Sequence, residues 1–161
     1  RNHTALVFVT ALVVGGALLL STRLQDGLLS SLSVLVTTIS EGGLRMLGVD
    51  VIRSDTTLVA PNLGFGMGIH NDCNGAWAHL VFLAAVLAFP AGWRAKLIGL
   101  AVGEALLFAL NIFRVISLFL IGVYAPSLFR AAHVYVWQFL IIGCALLLFT
   151  VWVDKVVRRP A

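Results

Sequence analysis

Three residues whose side chains can perform nucleophilic catalysis stand far apart in this chain: Cys73, Arg114 and His133. A cysteine thiolate is a nucleophile, and a histidine can remove the thiol proton and later return it to a leaving amine. An arginine keeps its charge and can stabilise an oxyanion or orient a carbonyl. Cys73 is followed by Asn74 and Gly75 at the start of an apolar run, where a helix N-terminus would favour the thiolate. A cysteine, a histidine and an arginine together predict acyl transfer through a covalent cysteine intermediate, provided that the fold brings the three side chains together.

The composition indicates that the elements positioning these residues lie in a membrane. The chain has 161 residues, of which 60% are hydrophobic and 11% charged. Soluble domains are about 45–50% apolar and about 25% charged. A water-soluble globular domain, a disordered chain and a nucleic-acid-binding protein are therefore excluded as classes. Two cysteines make no disulfide framework, and the four histidines show no zinc-ligand spacing, so we expect neither a metal nor a cofactor.

The apolar runs predict an all-α, polytopic helical bundle with four transmembrane helices. Each apolar run is close to, or longer than, the roughly 17–25 residues that a spanning helix needs. The predicted spans are 5–21, 74–89, 97–124 and 132–153. The first resembles a signal peptide in its hydrophobicity, but no small-residue cleavage site follows it, which favours a retained anchor.

The segment between the first two spans has a different pattern. Residues 24–47 mix serines and charged residues with leucines and valines, which predicts an amphipathic helix at the outer face rather than a fifth span. Residues 49–72 are polar and rich in glycine, and alternation at 49–52 and 65–69 predicts a small hairpin. We expect one membrane-embedded domain, divided into an anchor at 1–22, an outer segment at 23–72, a catalytic core at 73–153 and a tail at 154–161.

Basic residues give the orientation, because they concentrate at cytoplasmic ends of membrane helices. The net charge of +4 reflects such positions. They precede the first span, join the second to the third, and follow the fourth: Arg1, Arg94, Lys96, Lys155, Arg158 and Arg159. Both termini are therefore predicted to be cytoplasmic.

This topology places the three reactive types at one depth. Cys73 and His133 stand at the outer starts of the second and fourth spans. Arg114 lies 17 residues beyond the inner end of the third span, Leu97. At ~1.5 Å per residue this is ~25 Å across a core of ~30 Å. A site at the outer boundary is therefore predicted.

Each candidate also has a structural interpretation. Cys144 lies deep among apolar residues and is predicted to be a packing residue, and His133 could be an interfacial histidine. Arg114 could snorkel or form a structural ion pair, although a charge within a span indicates function by default. His70 and Asp72 flank Cys73 and are rival bases.

Weaker candidates lie deeper in the spans. Asn111 shares the helical face of Arg114 and could orient it, bind substrate or join helices. His79 falls at the depth of Asn111 and is a candidate partner for it. Glu104 is too far towards the cytoplasm to act on Cys73 and is interpreted as a buried hydrogen-bonding group.

A different class of function remains open on these residues. A non-enzymatic membrane subunit, either a haem-binding or a proton-conducting bundle, could use His79, His133, Glu104 and Arg114. Haem would require two imidazoles facing each other across helices. A visible absorption spectrum would distinguish this class from a colourless enzyme with a reactive cysteine.

Four stretches resemble the core of the exosortase/archaeosortase family, in which cysteine, arginine and histidine follow in that order across successive spans. The resemblance covers about residues 49–153 and is nearest to the short exosortase H class. The stretches read NDCNGAW, AFPAGWRAKLIG, LNIFRVISLFLIG and LFRAAHVYVWQ.

The resemblance implies a membrane-embedded cysteine peptidase or transpeptidase of the bacterial inner membrane, with its site facing the periplasm. Its partners would be the lipid bilayer, an unknown acceptor and exported proteins with a C-terminal sorting signal. That signal comprises a short motif, IPTLxxWG-like for exosortase H, followed by a transmembrane helix and a basic cluster. Cys73 matches the family's nucleophile, Arg114 its arginine and His133 its histidine. Many members read Cys-Ser-Gly where this chain has Cys73-Asn74-Gly75, so no role of that serine hydroxyl carries over.

Overall fold

The protein is mostly helical in the computed structural model, which describes residues 2–21, 23, 25–70 and 75–158. Wide π-helical turns at Gln25–Leu29, Ala132–Val136 and Val153–Arg158 extend helices in these ranges. The α-helices there are α1 Asn2–Leu19, α2 Ser30–Met46, α3 Ala76–Ala88, α4 Trp93–Tyr124, α5 Pro126–Ala131 and α6 Trp137–Trp152. The strands there are β1 Ile52–Ser54, β2 Thr57–Ala60 and β3 Phe65–Gly68.

Glycine and proline set the helix boundaries. Helix α2 ends before Gly48, whose φ of +80° is the left-handed conformation that glycine adopts without steric cost. Helix α3 ends at Ala88, two residues before Pro90, and α4 ends at Tyr124, two residues before Pro126. The residue before a proline is sterically disfavoured in the α region, and Phe89 and Ala125 accordingly leave it. Pro126 then begins α5, where its missing N–H needs no partner.

The outer segment contains a three-stranded antiparallel sheet in the order β1-β2-β3. The predicted two-stranded hairpin was therefore wrong in its number of strands. The central strand pairs on both sides, with Leu58 opposite Arg53 in β1 and Met67 in β3. Its four residues lie between the turn at Asp55 and the proline Pro61, a run too short for alternation to identify it.

The sheet packs against α2 and α4 around a continuous apolar core. Val36 of α2, Leu58 of β2 and Phe119 of α4 are all fully buried in this cluster. The ring of Phe65 lies edge-on to that of Phe119 at a centroid distance of 5.2 Å. It also occupies the space beside Gly122, where a Cβ would lie 2.0 Å from the Phe65 ring. Close packing thus joins β3 to the C-terminal half of α4.

Helix α2 buries polar residues and exposes apolar ones. Ser33, Thr37 and Ser40 are buried, whereas Leu35 and Ile39 are exposed. Val36 and Leu44 are buried as well, so the inner face is mixed, and the exposed apolar side chains suit a helix whose outer face contacts lipid.

Helices α3, α4 and α6 pack through small residues of α4. A Cβ on Gly103 would lie 2.2 Å from the Phe82 ring of α3, and one on Gly99 would lie 2.5 Å from the Trp152 indole of α6. The indole Nε1 of Trp152 also donates a hydrogen bond to the carbonyl of Ala95 at 2.8 Å. Glycines therefore let two aromatic side chains approach the α4 backbone.

The helix lengths agree with a membrane protein but do not reproduce four spans. In the described part of the chain, three helical segments are long and apolar enough to cross a membrane: Asp26–Met46, Trp93–Tyr124 and Pro126–Arg158. The predicted span 74–89 corresponds to α3, whose 13 residues measure ~20 Å against a core of ~30 Å. The prediction of a helical membrane protein is confirmed, whereas the count of four spans is not.

Candidate functional site

Two polar residues of α4 are buried inside the bundle. Arg114 is 7% exposed and Asn111 is 2% exposed. Their three-residue spacing puts them on the same face of the helix. A charged side chain within an apolar helix is costly and indicates function. Both residues therefore mark the centre of a candidate site.

A cavity of about 490 Å³ adjoins Arg114. Its walls come from α1, α3, α4 and α6, and its volume lies in the range of about 300–1,000 Å³ that is typical of ligand sites. Gly75, Arg114 and Gln138 line it near the first residues of α3 and α6. Apolar side chains continue the lining along these helices as far as Ala85 and Phe149. The cavity is thus an apolar groove with a polar end.

Gly75 stands immediately before α3 with a φ of +85°. Its carbonyl accepts hydrogen bonds from the backbone N–H groups of Ala78 at 2.9 Å and His79 at 3.2 Å. A Cβ at this position would lie 3.0 Å from Cγ of Asn111. Two conditions therefore favour glycine here, namely the left-handed backbone and the close approach of Asn111.

His133 interacts electrostatically with Arg114. It lies in the wide turn between α5 and α6, and its ring stacks on Phe129 at 5.9 Å and 6° between planes. The positive charge of Arg114 acts electrostatically on the His133 imidazole. The structure thus brings together two of the three residues proposed from the sequence.

Cys73, Asn74 and Asp72 lie outside the described residues. Their described neighbours differ in position: Gly75 lines the cavity, whereas the side chain of His70 is exposed and lies next to Gly68. Cys73 precedes Gly75 by two positions, and two residues of chain span at most about 7 Å.

His79 pairs with a residue other than Asn111. Its Nδ1 contacts the carboxylate of Glu104 on α4. The interpretation of Glu104 as a hydrogen-bonding group is confirmed, although its side chain is half-buried rather than fully buried. Nε2 of His79 and both polar side-chain atoms of Asn111 are buried with no hydrogen-bond partner among the described residues. The suggested contact between His79 and Asn111 is therefore wrong.

The cavity contains one polar residue that the sequence interpretation missed. Gln138 lies at the beginning of α6, in the otherwise apolar stretch VYVWQFLIIG. The sequence feature that could have identified Gln138 is a polar side chain within an apolar helix, five residues after His133. Cys144, by contrast, lies half-buried in α6, among the residues of the groove's apolar stretch but outside its lining.

No group of three or more histidine, cysteine or acidic side chains that could hold a metal ion occurs within residues 2–70 and 75–158 as described. The polar groups that the structure gathers here are instead an arginine, a histidine, a glutamine and an asparagine. These groups can bind and polarise a carbonyl and move a proton.

Comparison with known proteins identifies the family. The family model described as Transmembrane exosortase (Exosortase_EpsH) matches residues 3–150. No curated protein and no solved structure matches the chain significantly. The match covers α1, the sheet, and the helices that contribute Arg114 and His133. Since it extends over most of the 161 residues, the chain belongs to the transmembrane exosortase family.

Proposed function

We propose that this exosortase is a membrane-embedded cysteine peptidase or transpeptidase that cleaves a C-terminal sorting signal from exported proteins. The observation that carries the proposal is the buried Arg114, which lines one cavity together with Gly75, two residues from Cys73 in the chain. An apolar groove with a single charged end suits a ligand that has an apolar segment and a polar reacting group. A sorting signal, with its transmembrane helix next to a cleaved motif, is such a ligand.

In this proposal, Cys73 is the nucleophile and His133 exchanges protons with it. The thiolate attacks the scissile carbonyl carbon, and the electron pair of the C=O bond moves to oxygen. When the oxyanion collapses, the C–N bond breaks and the leaving amine takes the proton held by His133. A thioester remains on Cys73. An acceptor nucleophile, or water, then attacks the thioester and restores the thiol.

The positive charge of Arg114 offsets the negative charge that develops during attack. A buried arginine serves this purpose well because its charge persists and its environment excludes water. Four further residues support the site. Asn74 follows the nucleophile in the chain, Gly75 lines the polar end of the cavity, and Asn111 lies against Gly75. The fourth is His79. His79 lies one turn into α3 and is held by Glu104.

The proposed topology keeps four spans, with the chain ends cytoplasmic and the site at the periplasmic face of a bacterial inner membrane. Basic residues in the first turn of α4, Arg94 and Lys96, and after α6 support it. The substrates would be exported proteins with a motif similar to that of the short exosortase H class. The acceptor is a nucleophile that reaches the thioester from the periplasm.

The test compares Cys73→Ala with Cys144→Ala, which removes the chain's other cysteine. Each variant is co-expressed with a reporter protein that ends in a sorting motif, an apolar helix and a basic cluster. We expect Cys144→Ala to shorten the reporter as the parent protein does. Cys73→Ala should accumulate in the membrane and leave the reporter intact.

Mass spectrometry of the parent protein should find the new C-terminus of the reporter attached to Cys73 through a bond that hydroxylamine cleaves. Normal processing by Cys73→Ala would refute the covalent mechanism.

A further inference from the structure

Asn111 is placed in an energetically unfavourable way that packing alone does not explain. Its side chain is 2% exposed, and neither Nδ2 nor Oδ1 has a hydrogen-bond partner among the described residues. Most buried polar side chains in proteins are hydrogen-bonded, and an unpaired buried amide destabilises the fold. An apolar residue of similar shape would avoid this cost. Such a side chain is suited to pair with a bound ligand.

The side chain of Asn111 is directed at the N-terminal end of α3. All three atoms of its amide group lie within 3.0–3.3 Å of the position that a Cβ on Gly75 would occupy. Helix α3 has 13 residues, and the positive end of its dipole lies here, although the N–H groups of Ala78 and His79 already donate to the carbonyl of Gly75. Such an end favours negative charge. The amide of Asn111 is therefore packed against Gly75, the residue that precedes α3 and lines the cavity.

We propose that Asn111 and the N-terminal end of α3 form the binding site for the carbonyl oxygen of the scissile bond. The inference rests on the proposed function, because the carbonyl is the one that Cys73 attacks. Nδ2 of Asn111 donates to this oxygen, and its hydrogen bond strengthens as the oxygen gains negative charge. Asn111 is thereby a catalytic residue, and Gly75 supplies the space that lets the oxygen approach.

This assignment separates two kinds of stabilisation in the site. Asn111 acts by a directed hydrogen bond on one oxygen, and the end of α3 acts on the same oxygen through the helix dipole. Arg114, which lies one helical turn further along α4 and interacts with His133, supplies charge to the cavity end as a whole. When thiolate and carbonyl combine, the C=O electron pair goes to the oxygen at Asn111, and it returns to re-form C=O as the leaving amine departs.

The test uses Asn111→Leu, which keeps the branched shape of the side chain and removes the donor. The control is Ser40→Ala, because Ser40 is also a buried polar side chain without a hydrogen-bond partner among the described residues but lies on α2, away from the cavity. Kinetics are measured on purified protein with the purified reporter. We expect Asn111→Leu to lower kcat by about 100- to 1,000-fold with little change in KM, as for loss of one oxyanion donor. Ser40→Ala should retain the parental kcat.

A vibrational measurement distinguishes a donor from a purely structural residue. The reporter is labelled with ¹³C at the carbonyl of its cleaved residue, which the mass of the Cys73 adduct identifies. In the thioester of Asn111→Leu, the ¹³C=O stretch should shift to higher frequency than in the parent, because a hydrogen bond to the carbonyl is lost.

The outcomes separate this inference from the proposed function. If Cys73→Ala is inactive but Asn111→Leu keeps kcat within about threefold of the parent, the carbonyl site is wrong while the cysteine mechanism stands. An unshifted ¹³C=O stretch, or a loss confined to KM, also overturns the inference. If Cys73→Ala remains active, the proposed function itself fails.

Discussion

Replacement of Gly75 by alanine tests the geometry at the start of α3. The added methyl group meets two independent costs. An L-residue in the left-handed conformation costs roughly 1–2 kcal/mol. The Cβ would also lie 3.0 Å from Cγ of the buried Asn111, and overpacking of this kind costs roughly 1–3 kcal/mol. We therefore expect Gly75→Ala to lower the free energy of unfolding by roughly 2–5 kcal/mol.

Gly48→Ala is the matched control, because only the first cost applies to it. Gly48 has a φ of +80°, close to the +85° of Gly75, but a Cβ there would meet nothing within 4 Å. Its expected destabilisation is about 1–2 kcal/mol. Both variants are unfolded reversibly in mixed micelles and followed by tryptophan fluorescence, and reporter cleavage is measured in parallel. Gly48→Ala should retain cleavage, whereas Gly75→Ala should lose it because the methyl group displaces the Asn111 amide.

A double-mutant cycle isolates the contact itself. When Asn111→Ala is combined with Gly75→Ala, the methyl group no longer meets the amide, so the two changes should be less destabilising together than their sum. Directly contacting residues couple by about 0.5–3 kcal/mol. Additive effects, or a Gly75→Ala variant no less stable than Gly48→Ala, would refute the proposed contact.

Two further substitutions test the packing and the charge of the site. Gly103→Ala places a Cβ 2.2 Å from the buried Phe82 ring and should lower the free energy of unfolding by about 1–3 kcal/mol. Gly143→Ala is the control: a Cβ there would meet nothing within 4 Å, so this variant should be as stable as the parent or more stable. If Gly143→Ala were the less stable of the two variants, the α3–α4 packing would be contradicted. Arg114→Lys keeps the charge but loses the planar donor fork, so reporter cleavage should fall about 100-fold at normal membrane accumulation, and an unchanged rate would remove the arginine from the mechanism.

The depth of the site follows from the sequence because depth depends on simple counting. Rise per residue is constant along a helix, and apolar run lengths and basic ends locate each helix in the bilayer. Arg114 and His133 were expected at one level on these grounds, and in the structure the charge of Arg114 acts on the His133 imidazole. The depth argument did not require knowledge of how the helices pack.

The partners of buried polar groups could not be obtained in this way. His79 and Asn111 were predicted at similar depth, yet the side chain of His79 contacts Glu104 and that of Asn111 contacts Gly75. Which face of one helix meets which face of another depends on the packing of side chains along the whole interface. Gln138 was missed for the same reason, since its contribution depends on α6 facing the groove.

The outer segment shows the same limit in a different element. Strand β2 has only four residues, and its role as the centre of the sheet depends on pairing with β1 and β3. Helix α2 carries the polar pattern expected of a surface helix, but Ser33, Thr37 and Ser40 face the protein core. A pattern indicates that a helix has two faces, while the surrounding medium decides which face is buried.

The amino-acid sequence alone thus indicates a membrane protein and the family resemblance, and it predicts one depth for Cys73, Arg114 and His133, because hydrophobicity and helical rise are properties of each residue. The tertiary structure decides that Gly75, Arg114 and Gln138 border one cavity and that Asn111 is buried against Gly75 without a hydrogen-bond partner among the described residues. Those relations depend on the rotation and close approach of helices distant in sequence, which only the packed bundle specifies.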